Sequence, residues 1–131
     1  MPNANGTFEV TPGSEEAFHE IDEGPKLTHA TGTQRFTGDL QADGAVDWLM
    51  CYLPDRSATF VGLQQVDGSL AGRTGTFVMQ AVGNHDATGS KAAWTIVPGS
   101  GAGGLAGITG EGSFHATGGR TVSYVLEYRF D

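Results

Sequence analysis

With 131 residues the chain has the length of one domain and can bury a core without metals or disulfides, and Cys51, its single cysteine, excludes an intramolecular disulfide. Fifteen acidic against seven basic side chains give a formal charge of −8, which repels nucleic-acid phosphates and anionic lipid head groups alike. Glycine occupies 21 positions with no collagen-like period, against a usual share of roughly 7%, so turns, bulges and close strand crossings are expected throughout.

The longest apolar run, Trp48 to Leu53, is six residues, whereas a membrane-spanning helix needs about 20. No basic-then-apolar segment opens the sequence, so a soluble, cytoplasmic protein is expected.

Runs rich in Thr, Val, Phe, Tyr and Trp alternate with turn signals, and the pattern predicts strands near 6–11, 28–38, 45–53, 57–66, 69–82, 89–97, 110–117 and 121–130. The turn signals are Asp43-Gly44, Pro54-Asp55, Asp67-Gly68, Asn84-His85-Asp86, Pro98-Gly99 and Gly118-Gly119. Between the first two strands, Ser14 to Ile21 has a capping serine and Phe18 and Ile21 three apart, but Gly24-Pro25 ends any helix quickly, and an irregular excursion is expected. Gly103 to Gly107 offers a turn of helix or a loop, with the glycines around it favouring the loop. Eight meandering strands would leave two exposed edges in an open sheet, and closure removes both. The expected fold is therefore all-β: one eight-stranded antiparallel barrel over residues 1–131, of lipocalin-like dimensions and with little helix. A two-layer sandwich is the alternative.

Residues on alternate sides of each strand define what the barrel would contain. In the last strand Val122, Tyr124, Leu126, Tyr128 and Phe130 form the apolar, inward set. In the third strand Val46, Trp48, Met50 and Tyr52 oppose Leu49, Cys51 and Leu53. A two-residue loop at Asp67-Gly68 pairs Val66 with Ser69, sets Phe60 opposite Gly75 and Ala58 opposite Phe77, and puts Phe60, Gly62, Gln64, Arg73, Phe77 and Met79 on one face. Val61, Leu63, Thr74, Thr76 and Val78 form the other, so a second apolar face needs cover, from the Ser14–Leu27 excursion or from another subunit. A homo-oligomer is the expectation. A two-residue loop at Gly118-Gly119 pairs His115 with Val122, Ser113 with Tyr124 and Glu111 with Leu126, turning Glu111, Ser113 and His115 inward. A three-residue loop swaps every side chain of that strand to the other face.

On the first of these registers Glu111 and His115 are the candidate catalytic groups, a carboxylate and an imidazole in an aromatic cavity where burial shifts protonation toward acid–base use. Arg73 is a candidate carboxylate-binding residue, and Trp48, Tyr52, Trp94, Tyr124 and Tyr128 are candidate ligand contacts. Each has a plainer reading: Glu111 bonded to loop amides, His115 half-exposed, Arg73 bonded to nearby carbonyls, the aromatics as core. Cys51 reads as a small buried hydrophobe. His19, His29, His85 and His115 are scattered and make no metal-ligand pair, so no metal is expected. Gly99-Ser100-Gly101-Ala102-Gly103-Gly104 lacks the Lys-Ser/Thr of a phosphate loop and reads as a connecting loop. A hydrolase is a poor fit, since no nucleophile elbow has its α/β setting.

The stretch Val97 to Gly112, with Gly24-Pro25-Lys26-Leu27-Thr28, Phe36-Thr37-Gly38-Asp39, Phe60-Val61-Gly62-Leu63 and Gly72-Arg73-Thr74-Gly75-Thr76-Phe77, resembles a bacterial family of proteins of unknown function over nearly the whole chain. That family in turn looks like the barrel superfamily of allene oxide cyclase and, more distantly, the dirigent proteins. The resemblance implies an eight-stranded barrel that holds a flexible apolar molecule in its lumen, and it carries over no catalytic residue. The expected function is binding of a small apolar ligand, with a cyclase or isomerase acting by conformational restraint, without metal or organic cofactor, as its enzymatic form. The alternative is a non-catalytic binder or a structural oligomer whose lumen is filled by its own side chains.

Overall fold

The structure is a computed structural model, and it describes residues 2–118 and 121–131. Nine strands follow in chain order: β1 (Asn3–Glu20), β2 (Lys26–Gly38), β3 (Leu40–Tyr52), β4 (Ala58–Leu70), β5 (Arg73–Asp86), β6 (Gly89–Ile96), β7 (Ala102–Gly103), β8 (Ile108–Ala116) and β9 (Thr121–Phe130). Neighbours pair antiparallel in the order β4-β3-β2-β1-β9-β8-β6-β5, and β5 pairs again with β4, closing an eight-stranded barrel. Two-residue β7 lies outside the cycle and extends the β6 side of β5 through Gly75–Gly103 and Thr76–Ala102. Closure gives every long strand two partners, although β1 beyond Glu9 pairs with β2 alone. No helix occurs among the described residues.

The strands run longer than predicted, and the turns explain why. Pro54-Asp55 and Pro98-Gly99 are turns as expected. Asp43-Gly44 and Asp67-Gly68 instead lie inside β3 and β4, and Asn84 to Asp86 ends β5. The β4–β5 reversal falls at Ala71-Gly72, whose φ values of 54° and 76° both lie in the left-handed region that a tight hairpin turn requires. Gly68 serves another purpose: it faces the interior, where an added Cβ would stand 2.2 Å from the Gln41 carbonyl oxygen. Gly75 across from it is equally tight, 2.1 Å from the Ala102 carbonyl. Inner-face glycines of this kind let strands coil sharply enough to close a small barrel.

Ser14 to Glu20 is neither irregular nor helical. It continues β1 against β2, with register breaks between Pro12 and Glu15 and between Ala17 and His19. Gly103 ends β7 and residues 104–107 form a turn, not helix, that with Leu105 plugs one end of the barrel. Gly104 N–H donates to the Thr74 carbonyl (2.7 Å), and Leu105, fully buried, packs with Leu40, Leu70, Phe77, Ile96 and Ile108. Above that plug sits an aromatic layer in which Phe8 meets Phe36, Trp94 and Phe114 with ring centroids 5.3–5.6 Å apart, and Tyr124 stacks nearby. Such tilted and edge-on contacts suit aromatic quadrupoles. The opposite end is not filled.

Candidate functional site

The open end is formed by the last residues of β1, β3, β5 and β8 and the first of β2, β4, β6 and β9. There the lumen holds a cavity of about 430 Å³, within the 300–1,000 Å³ range typical of small-molecule pockets. Phe8 and Phe114 form its floor on top of the aromatic layer. Met50, Phe60, Trp48 and Val122 supply apolar wall, and Glu15, Tyr52, His85 and Ser90 bring polar groups to it.

Glu15 reaches this cavity because of a β-bulge. Up to Pro12, which pairs with Gly32, inward positions of β1 are even-numbered: Phe8, Val10 and Pro12 line the pocket. The next pair is Glu15–Ala30, so one extra residue is inserted at Gly13-Ser14 and Glu15 shifts to the inner side. Thr31 holds the bulge: its Oγ1 accepts from Ser14 N–H at 3.0 Å, and a Cβ on Gly13 would stand 2.6 Å from the same oxygen. At the inner side Glu15 Oε2 accepts hydrogen bonds from the Thr28 hydroxyl (2.6 Å) and the Tyr52 hydroxyl (2.7 Å). The Thr28 bond, and after it the Tyr52 bond, hold the Glu15 carboxyl below its usual range, so it is ionised at neutral pH. Burial, reinforced by the bond to Glu15, pushes the Tyr52 phenol up to about 12. No described residue donates to Glu15 Oε1. Lys26 stands at the rim with its ammonium 5.2 Å from the Tyr52 ring centroid.

Across the mouth, His85 Nδ1 and Ser90 Oγ hydrogen-bond at 2.5 Å. Deeper in, Gln64 Nε2 donates to Gln34 Oε1 (3.0 Å), both side chains buried and Gln34 on the pocket wall. Gln64 Oε1 lacks a partner among the described residues and packs over Gly44, where a Cβ would collide with it.

The sequence-predicted site residues separate into three places. Trp48 and Tyr52 line the cavity. Trp94 and Tyr124 lie beneath its floor: Trp94 is buried in the aromatic layer, and the Tyr124 hydroxyl donates to the Thr37 carbonyl (3.1 Å) and accepts from Leu40 N–H (3.1 Å). Tyr128 and Arg73 stand at the plugged end, Tyr128 against Phe130 and the Arg73 guanidinium 4.0 Å above the same ring. Those four contribute to closing the barrel and do not touch the pocket.

Glu111 and His115 correct the expected register. Phe114 pairs with Tyr124 and Glu111 with Glu127, one residue away from the two-residue Gly118-Gly119 alignment; Gly119 itself lies outside the described residues. A one-residue slip turns a strand over, so Gly112, Phe114 and Ala116 face in, while Glu111, Ser113 and His115 are exposed outside. The β4–β5 register also differs, with Val66 opposite Phe77 instead of Ser69, Ala58 opposite His85 and Phe60 opposite Gly83. That displacement is even, so the predicted faces survive: Phe60, Gln64, Phe77 and Met79 are buried and Val61 and Leu63 exposed. Phe60 still covers a cross-strand glycine, Gly83, where a Cβ would meet its Cζ at 2.7 Å.

The Ser14–Leu27 segment does not cover the outer apolar face. Leu49, Val61 and Val82 stand in register across β3, β4 and β5, each 45–51% exposed. Among the described residues no three His, Cys, Asp or Glu side chains converge as metal ligands.

Sequence reasoning missed Glu15, Gln34, His85 and Ser90. For Glu15 a signal existed: Pro12-Gly13 directly after the strand-like run Thr7 to Thr11 is compatible with a bulge in a strand that continues past it.

Fold and cavity together define a small antiparallel β-barrel, plugged at one end and open at the other into an aromatic-walled lumen. The chain belongs to the DUF3224 family, proteins of unknown function, whose model matches residues 4–128. It is similar to a DUF3224 protein of unknown function from Shewanella oneidensis MR-1, solved as a crystal structure at 1.84 Å resolution. The two share 29% identity and a TM-score of 0.87 over 100% of this chain and 98% of the other. No curated protein matches the sequence. No helix of the structure is long and apolar enough to cross a membrane.

Proposed function

We propose that the protein binds one small, largely apolar molecule in the open half of its barrel. The observation that carries this reading is the unfilled cavity of about 430 Å³ above the aromatic floor, in a barrel whose other end is fully packed. An eight-stranded barrel is just wide enough either to fill itself or to hold one ligand, and a cavity of this size favours the second option over a side-chain-filled structural barrel. The resemblance to allene oxide cyclase-like barrels, which hold a flexible apolar substrate in the lumen, agrees with it. Glu111 and His115 lie on the outer face, so a cyclase or isomerase would have to draw on the carboxylate and imidazole that do line the pocket, Glu15 and His85; binding is the part of the reading that the cavity by itself supports.

The test is titration with the neutral probe N-phenyl-1-naphthylamine, whose emission rises in apolar surroundings. The wild-type chain is expected to saturate at one probe per chain. Ala30→Phe, which places a ring in the cavity from its wall, is expected to abolish the signal, while Val125→Ala on the outer face leaves it unchanged. Equal probe binding by wild type and Ala30→Phe would overturn the lumen as the site.

A further inference from the structure

We propose that the occupant of this pocket is an organic cation, a primary to quaternary amine on an apolar body, with its ammonium group at Glu15. The inference rests on the pocket reading above and adds the charge class of the ligand.

Three observations lead to it. First, the side chains lining the cavity include neither lysine nor arginine, and the one carboxylate among them is Glu15. Every other polar side-chain group there is a hydroxyl, an amide, the Trp48 indole N–H or the His85 imidazole. An acidic chain of net charge −8 adds a background field of the same sign.

Second, Glu15 is oriented toward the lumen by a specific structural feature. Without the extra residue at Gly13-Ser14, strand alternation would point Glu15 outward alongside Glu9 and Thr11. Thr28 and Tyr52 both donate to Oε2, fixing the carboxylate while Oε1 receives nothing from a described residue. One oxygen thus remains for a charge-assisted hydrogen bond or an ion pair with a ligand. The lowered Glu15 pKa agrees with this geometry, since the group stays charged at neutral pH.

Third, the carboxylate shares the cavity with aromatic side chains, and the Tyr52 hydroxyl bonds to it. Trp48 and Tyr52 line the cavity with it, and aromatic rings attract a cation at their faces while offering an anion nothing equivalent. The chain's own Lys26 illustrates the preference, with its ammonium held over Tyr52 at the rim. Below, Met50, Phe60 and the Phe8–Phe114 floor accept the apolar body. Lys26 is also the group that would favour the opposite class, a carboxylate ligand, and the experiment includes that class.

The experiment is calorimetric titration of the whole chain with three ligands of one tail length, decyltrimethylammonium, decanol and decanoate, each well below its micelle concentration. The expected order is cation, then alcohol, then carboxylate, with the cation at least tenfold tighter than the alcohol. Glu15→Gln is expected to reduce the cation's advantage to twofold or less and leave decanol unchanged; Glu16→Gln, one residue along β1, is expected to change nothing. Decanoate binding as tightly as the cation, or a full cation preference in Glu15→Gln, would overturn the charge assignment. Equal binding of cation and alcohol by the wild type overturns it too while sparing the pocket, whereas no binding by any of the three overturns the pocket reading itself. The wild-type ligand order needs no variant, so the inference stays testable even if Glu15→Gln folds poorly.

Discussion

Replacing Tyr124 by Phe isolates one hydroxyl that the fold depends on. The ring is 2% exposed, and its hydroxyl bridges the β2–β3 turn by accepting from Leu40 N–H and donating to the Thr37 carbonyl. Leu40 is itself 1% exposed, so removal of the hydroxyl leaves its amide buried without that partner. An orphaned buried donor costs about 1–3 kcal/mol, and a central expectation is about 2 kcal/mol. With an unfolding entropy of about 2.1 cal/mol/K per residue, 131 residues give roughly 0.28 kcal/mol/K, and the melting temperature should fall by about 7 °C. Tyr128→Phe is the internal control: the side chain is also buried, but its hydroxyl makes no hydrogen bond with a described residue. Its expected shift is under about 2 °C, in line with a loss below roughly 0.5 kcal/mol. Both are read by differential scanning calorimetry. Equal shifts in the two variants would refute the reasoning, because the Leu40 amide would then not depend on Tyr124.

Other outcomes follow from the same structure. Glu111→Gln and His115→Ala change exposed outer-face groups, so ligand affinity by titration should stay within twofold of wild type; a tenfold loss would return them to the site. Tyr52, raised to about 12 from an ordinary value near 10, binds its proton more tightly in the folded state. Its contribution is therefore whole below pH 10 and is lost as pH rises toward about 12; absorbance titration at the phenolate band should show this late tyrosine in the wild type and an earlier one in Glu15→Gln. Gly89 has φ of 131° and would place a Cβ 1.9 Å from the Ala116 carbonyl oxygen, so Gly89→Ala should destabilise by about 2 kcal/mol or more in urea denaturation, and a neutral result would contradict the hairpin geometry. Deleting Ser14 removes the bulge and should return Glu15 to the outer side, abolishing any cation preference while neutral ligands still bind.

Alternation along each strand already determined most of the barrel. The inward set of β9, Val122 to Phe130, follows from period two alone, because a half-buried strand must put its apolar side chains on one face, whereas β3 is apolar on both faces and only the folded barrel turns Val46 to Tyr52 inward. The number of long strands and their closure follow as well, from turn chemistry and the cost of open edges. Even the wrong β4–β5 turn kept its faces, since an even displacement of register leaves each side chain on its own side.

Tertiary structure alone decided the rest. Asp67-Gly68 has the local chemistry of a hairpin turn, yet the chain continues through it to Leu70, because Leu70 is needed in the plug and Gly68 is needed where strands nearly touch. A glycine serves a turn or a close approach equally well, and only the surrounding strands choose between them. The same holds for parity: one residue more or less at Gly118-Gly119, or one extra residue at Gly13-Ser14, inverts a face without altering composition or propensity. That is why Glu111 and His115 stand outside and Glu15 stands at the mouth of the pocket.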